Sequence, residues 1–293
     1  MNSTVVVGYD QSAPSEHALL VAAREASLRQ AVLTVVHAYH YARPTTPMVF
    51  TPPVLQEVYD KTAMDIAEEG VERIRARYPD LDVRPKAEAG PTAHVLLTAD
   101  RDARLLVVGN RGRGGFAGLL LGSVSMRVLG GASCPVIVAR GAAVGTYDRV
   151  VAAVDVDDPG CADVLGFAFD DAAHRNAAVV AFHVRDDEER WVMEQNLEAA
   201  GLMKSSDEVA ADLDERLSAL VSRAQARHPD VESSRWIAAG AAGRRLIEES
   251  EAADLVVVGA HRRHGGQAGM RIGPVTTTLL HHARCPVAVV PHG

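Results

Sequence analysis

The residues best suited to chemistry lie between Leu105 and Ser125, in the stretch LLVVGNRGRGGFAGLLLGSVS. An apolar run, Leu105 to Val108, stops at Gly109, and Gly112, Gly114, Gly115, Gly118 and Gly122 follow before Ser123 and Ser125. That order predicts a strand, a glycine-rich loop and a helix start. Glycines allow positive φ and let backbone N–H groups close on a ligand, and Ser123 is placed to cap the helix. Backbone donors, a helix N-terminus and the side chains of Arg111 and Arg113 all favour an anion, phosphate first among them. Ser123 and Ser125 can donate hydroxyl hydrogen bonds to phosphate oxygens, and Val124 adds a backbone N–H. A tight turn that merely connects strand to helix would use the same glycines, so the loop takes its meaning from the rest of the chain.

Two well-defined phosphate loops are excluded. A G-x-x-x-x-G-K-[ST] loop needs a lysine, and the only lysines are Lys61, Lys86 and Lys204. The dinucleotide fingerprint G-x-G-x-x-G belongs after a first strand, whereas this loop follows a late one. The spacing is Gly109, two residues, Gly112, nine residues, then Gly122-Ser123. It resembles the ATP-binding subgroup of the universal stress protein family.

The elements around the loop follow from periodicity and turn chemistry. Thr4 to Gly8 reads as a buried strand ending at Asp10, and Gln11 to Ser15 supplies the start of a helix over Glu16 to Arg29. Ala31 to Tyr39 is a second strand. Residues 40–53 hold four prolines and predict an irregular connection able to fold over a neighbouring pocket. Helix is then expected over Val54 to Tyr78 and Pro91 to Ala99, and strand over Val83 to Ala87, Leu105 to Val108 and Val136 to Ala139. Strands alternating with helices imply an α/β domain with a parallel sheet covered on both faces.

The second half repeats the first. Ala76-Arg-Tyr-Pro-Asp80 returns as Ala226-Arg-His-Pro-Asp230, Leu106-Val-Val-Gly109 as Val256-Val-Val-Gly259, and Ser133-Cys-Pro-Val136 as Arg284-Cys-Pro-Val287. Val7 to Asp10 likewise matches Ala152 to Asp155, and His37 matches His183. Two tandem domains are expected, 1–143 and 144–293. This arrangement also resembles universal stress proteins, in their two-domain form.

The resemblance implies five strands per domain in the order 3-2-1-4-5. Strands 1 and 4 then flank the point where the chain changes side of the sheet, and open parallel sheets bind ligands at such a crevice. By the same resemblance ATP with Mg2+ is the expected cofactor. Gly8, Tyr9, Asp10 and Ala38 would border adenine and ribose. Val108, Gly109, Asn110, Arg111, Gly112, Arg113, Gly114, Gly115, Gly122, Ser123, Val124 and Ser125 would form the phosphate loop. Asp10 equally suits an N-cap or Asx-turn role at the start of the first helix.

The second half departs from this pattern. Gly259 is followed by Ala-His-Arg-Arg-His before Gly265, one residue more than in the first half, and no glycine matches Gly112. Gly273 is kept, but Pro274 stands where Ser123 stands and offers neither hydroxyl nor N–H. Residues 1–145 carry 15 Lys and Arg against 14 Asp and Glu, a net +1, while residues 146–293 carry 15 against 24, a net −9. A weaker second site is expected at Asp155, Val184, Gly259, Arg262, Arg263, Gly273, Val275 and Thr276.

Composition narrows the partners. The chain has 293 residues, 47% hydrophobic and 23% charged, and a net charge of −8 with 4% aromatics. The negative charge and the scarcity of stacking rings argue against nucleic acid. No run of about 18 apolar residues appears, so no membrane span is expected, and a cytoplasmic protein is. Cys134, Cys161 and Cys285 form no CxxC pair, which fits a reducing compartment, and Cys134 and Cys285, each before a Pro-Val pair, read as small buried residues. His281, His282 and Cys285 form an H-H-x-x-C run, with His261 and His264 near the second loop. Adjacent helical histidines point apart, so a helix C-terminus is the better reading, and no metal site is expected. G-x-S-x-G is absent and no local histidine serves Ser123, so no catalytic residue is expected and at most slow ATP hydrolysis.

The leading reading is an ATP-binding stress-response regulator in which occupancy of the first domain modulates assembly or contact with an unknown protein partner. A homodimer is expected, because short apolar terminal strands leave unpaired edges. The rival readings are a nucleotide-independent assembly module and a weak ATPase or flavin-binding relative.

Overall fold

The computed structural model describes residues 3–40, 53–99, 103–112, 121–141, 146–185, 206–263 and 269–293. The chain divides into two compact units, one built mainly from Met1–Arg140 and the other mainly from Gly141–Gly293.

In the first unit the order is β1 (Thr4–Gly8), α1 (Ala13–Leu28), β2 (Val32–Tyr39), α2 (Pro53–Arg75), β3 (Val83–Ala89), α3 (Thr92–Thr98), β4 (Ala103–Gly109), α4 (Ser123–Gly131) and β5 (Val136–Ala139). The strands are all parallel, in the order β3-β2-β1-β4-β5. A strand buried on both faces needs apolar side chains at successive positions. Val5, Val6 and Val7 of β1 are fully buried, as are Val136, Ile137 and Val138 of β5. Helix α1 packs with α2, and α3 with α4, so one pair covers each face of the sheet.

The second unit repeats the plan: β6 (Arg149–Ala153), α5 (Cys161–Arg175), β7 (Ala178–Arg185), α6 (Ser206–Gln225), β8 (Ser233–Ala239), α7 (Ala242–Glu249), β9 (Leu255–Arg262), a two-residue strand β10 (Met270–Arg271), α8 (Pro274–His282) and β11 (Val287–His292). Its parallel order is β8-β7-β6-β9-β11. The copies share fine detail. Each first helix closes with a buried i,i+4 acid–arginine pair, Glu25–Arg29 at 3.2 Å and Asp171–Arg175 at 2.5 Å.

Two strands of the second unit run past their counterparts in the first: β9 extends three residues beyond Gly259, where β4 stops at the matching Gly109, and β11 continues to His292, two residues beyond the position matching the end of β5. The cause is the β9–β11 ladder, which stays in register through Pro291↔Ala260 and His292↔His261. The proline-rich connection expected over residues 40–53 lies almost wholly outside the described residues. Among the described residues no helix is long and apolar enough to cross a membrane.

Candidate functional site

In the first domain the carboxyl ends of β1 and β4 meet. Asp10 leaves β1 in an Asx turn: its Oδ1 accepts from the Ser12 N–H at 3.1 Å and the Ser12 hydroxyl at 2.5 Å. Ser12, rather than Asp10, is the N-cap of α1 and accepts from the Ser15 N–H at 3.3 Å. The other carboxylate oxygen faces the opposite loop, where a Cβ on Gly112 would sit 3.0 Å from Asp10 Oδ2. A Cβ on Gly109 would fall 2.7 Å from the Pro14 carbonyl oxygen, so only glycine lets β4 pass this close to the start of α1.

The neighbouring candidates divide by what their side chains do. The Tyr9 ring is buried and donates to Glu16 Oε1 at 2.7 Å, and burial, with this bond, pushes its phenol pKa above the usual value of 10.0. Only the backbone of Tyr9 is left for the crevice, and its carbonyl lies 2.8 Å from His37 Nδ1. Gly8 sits beneath Leu96 of α3. Ala38 is half-buried, Val108 is buried, and Arg111 and Gly112 are exposed. Arg113, Gly114 and Gly115 lie outside the described residues.

Helix α4 begins one residue earlier in its capping than the sequence suggests. Gly122 is the N-cap, with extended φ −76° and ψ 153°, and Ser123 is already the first helical residue, so Ser123 does not cap the helix. Gly122 N–H donates to the Asn110 carbonyl at 2.7 Å, which draws the loop's two ends together. Ser125 also departs from its expected role. It is buried, and its hydroxyl donates to the Gly109 carbonyl at 2.7 Å, tying α4 to β4 instead of turning a donor towards the crevice. Ser123 is exposed and Val124 half-buried at the helix N-terminus, where N–H groups lack intrahelical acceptors.

The second domain reproduces this frame around a cavity of about 880 Å³. Asp155, Val184, Gly259, Gly273, Val275 and Thr276 all line it. Thr276 Oγ1 donates to the Gly259 carbonyl at 3.2 Å, as Ser125 does to Gly109, and His183 Nδ1 lies 2.9 Å from the Val154 carbonyl as His37 does from Tyr9. Asp155 accepts from the Asp157 N–H at 3.1 Å in a second Asx turn. Pro274 occupies the first helical position of α8, behind its N-cap Gly273. Arg262 belongs to β9, and its guanidinium lies 3.5 Å from the Pro291 carbonyl, so Arg262 and Arg263 are not among the described residues lining the cavity, while Arg271 is. The lining holds Asp155, Asp157, Asp158 and Asp212 against Arg185, Arg216 and Arg271. Arg216 is itself bound to Asp157 Oδ1 at 2.6 Å and to the Val156 carbonyl at 3.0 Å.

The family model for "Universal stress protein family" matches residues 1–140 and again 146–291. The chain belongs to the universal stress protein family. A Mycolicibacterium smegmatis universal stress protein is 34% identical over 293 residues, covering 98% of this chain and 96% of the relative. One from Mycobacterium tuberculosis strain H37Rv is 33% identical over 297 residues, covering 97% and 96%. A crystal structure of a universal stress protein from Archaeoglobus fulgidus covers 99% of this chain and 98% of its own, with a TM-score of 0.65 and 16% identity. That likeness shows the fold: two universal stress protein domains in tandem, both α/β.

Within this tandem universal stress protein, sequence reading passes over Asp158 and His292. Both line the second cavity beside His261. They come from separate segments with no motif linking them, and the available signal is the comparison of halves. Aligned on the repeats, Ala13, Arg111 and Gly141 stand in the first half where Asp158, His261 and His292 stand in the second.

Proposed function

We propose that the first domain binds ATP, with Mg2+, in the crevice between β1 and β4, and that occupancy alters the surface offered to a protein partner or a second copy of the chain. The observation that carries this reading is the placement of Gly112 against Asp10, with the α4 N-terminus drawn to the same point by the Gly122–Asn110 bond. A helix N-terminus with unpaired N–H groups attracts phosphate, and Arg111, exposed beside it, adds positive charge. In this reading the Gly109-to-Ser123 loop takes the phosphates, and the carboxyl ends of β1 and β2, at Gly8, Tyr9, Asp10 and Ala38, border the nucleoside. Ser125 serves this site by holding α4 on β4.

A ligand bound only by the folded state adds RT ln(1 + [L]/Kd), roughly 2.7 kcal/mol at a hundredfold excess over Kd. Thermal melts with and without millimolar ATP and magnesium test the proposal. A clear upward shift in Tm is expected, and an unmoved Tm would refute ATP binding.

A further inference from the structure

We propose that Asp158, His261 and His292 form a site for one divalent transition-metal ion of the zinc class, lining the second domain's cavity. One donor atom from each lies within 4.8 Å of the other two. Asp158 Oδ2 is 3.5 Å from His261 Nε2, and Asp158 Oδ1 is 3.7 Å from His292 Nδ1. A tetrahedral ion with bonds of about 2.0–2.1 Å holds its ligand atoms roughly 3.3–3.4 Å apart, so both Asp158–His separations are near that value and the exposed His261 side chain is free to close the rest. Two imidazoles and one carboxylate suit zinc, cobalt or nickel better than calcium or magnesium, which prefer oxygen alone.

The buried histidine supplies independent evidence. The His292 side chain is 4% exposed, and its Nδ1 has no hydrogen-bond partner among the described residues. Its 3.7 Å separation from Asp158 is too long for a hydrogen bond, and a buried polar atom left unmatched is costly. An ion between the two would satisfy it.

The surrounding backbone is shaped for this ring. A Cβ on Gly160 would fall 1.8 Å from His292 Nδ1, and one on Gly259 would fall 2.6 Å from Nε2. Gly160 N–H donates to Asp158 Oδ1 at 2.8 Å and fixes the carboxylate. The extended β9–β11 ladder makes His261 and His292 register partners, with ring centroids 4.6 Å apart. Three protein ligands leave coordination positions for water or an anionic group in the cavity.

Titrating the EDTA-treated full-length chain with Zn2+ against a chromophoric chelator, without nucleotide, tests the site apart from ATP binding. One ion per chain is expected at micromolar affinity or tighter. His261→Arg and Asp158→Ala, which install the first half's residues at accessible positions, should each weaken binding roughly tenfold or more. Co2+ should give visible ligand-field bands that both variants lose. Absence of stoichiometric binding, or variants that bind like the parent, would overturn the proposal. Both variants keep the buried His292 in place, so the test does not depend on substituting a residue packed in the core.

Discussion

A Cβ at position 112 would sit 3.0 Å from the Asp10 carboxylate, so a β-branched side chain there fills the gap between Asp10 and the loop that a ligand would enter. Gly112→Val should therefore abolish calorimetric ATP binding, while its exposed setting leaves the melting temperature of the free protein nearly unchanged. A folded Gly112→Val protein that binds ATP like its parent would reduce the loop to a connector. Cys285 makes a different kind of prediction. Burial pushes its thiol pKa from 9.0 up to about 12. Above pH 9 the unfolded chain loses this proton while the folded chain keeps it, so stability falls as pH rises from about 9 towards 12. Tyr9, raised by burial, acts in the same direction. Urea midpoints measured across this range should decline, and less steeply in Cys285→Ala; a parallel decline would exclude the thiol as a source.

At the scale of elements, the hydroxyl ties are what hold the helix N-termini to the sheet. Ser125 bonds Gly109 across β4 and α4, and Thr276 bonds Gly259 across β9 and α8. Ser125→Ala should cost about 1 kcal/mol in urea unfolding and weaken ATP binding, since it loosens the helix that presents the N–H groups. Element types and helix placement were legible because β-branched runs alternating with helical periodicity occur twice in matching order, whereas the strand order followed only from the family resemblance. The α4 cap was misread because Gly122 and Ser123 are both competent caps, and only backbone dihedrals separate them. The extension of β9 through His261 and Arg262 was not legible, because its cause is the partner strand β11, about 30 residues away in sequence. Asp158, His261 and His292 illustrate the same limit. Each is unremarkable locally, and their meeting depends on a turn, a strand and a terminal strand converging.

For the whole molecule, duplication has left one frame with two chemistries. The first half is near neutral and keeps the glycines and Ser123 at the loop end of its crevice, whereas the second half carries a net −9 and puts Pro274 at the helix start. Pro274 removes an N–H and a hydroxyl, and losing a hydrogen bond to a charged group costs about 1.5–3 kcal/mol. The carboxylates lining the second cavity add repulsion to a polyphosphate. At about 1.4 kcal/mol per tenfold, the second crevice should bind ATP at least roughly tenfold more weakly than the first. Equilibrium dialysis of the unmodified chain with labelled ATP and magnesium tests this most directly. The predicted result is one tight nucleotide per chain, lost in Gly112→Val; no binding, or two sites of equal affinity, would contradict it.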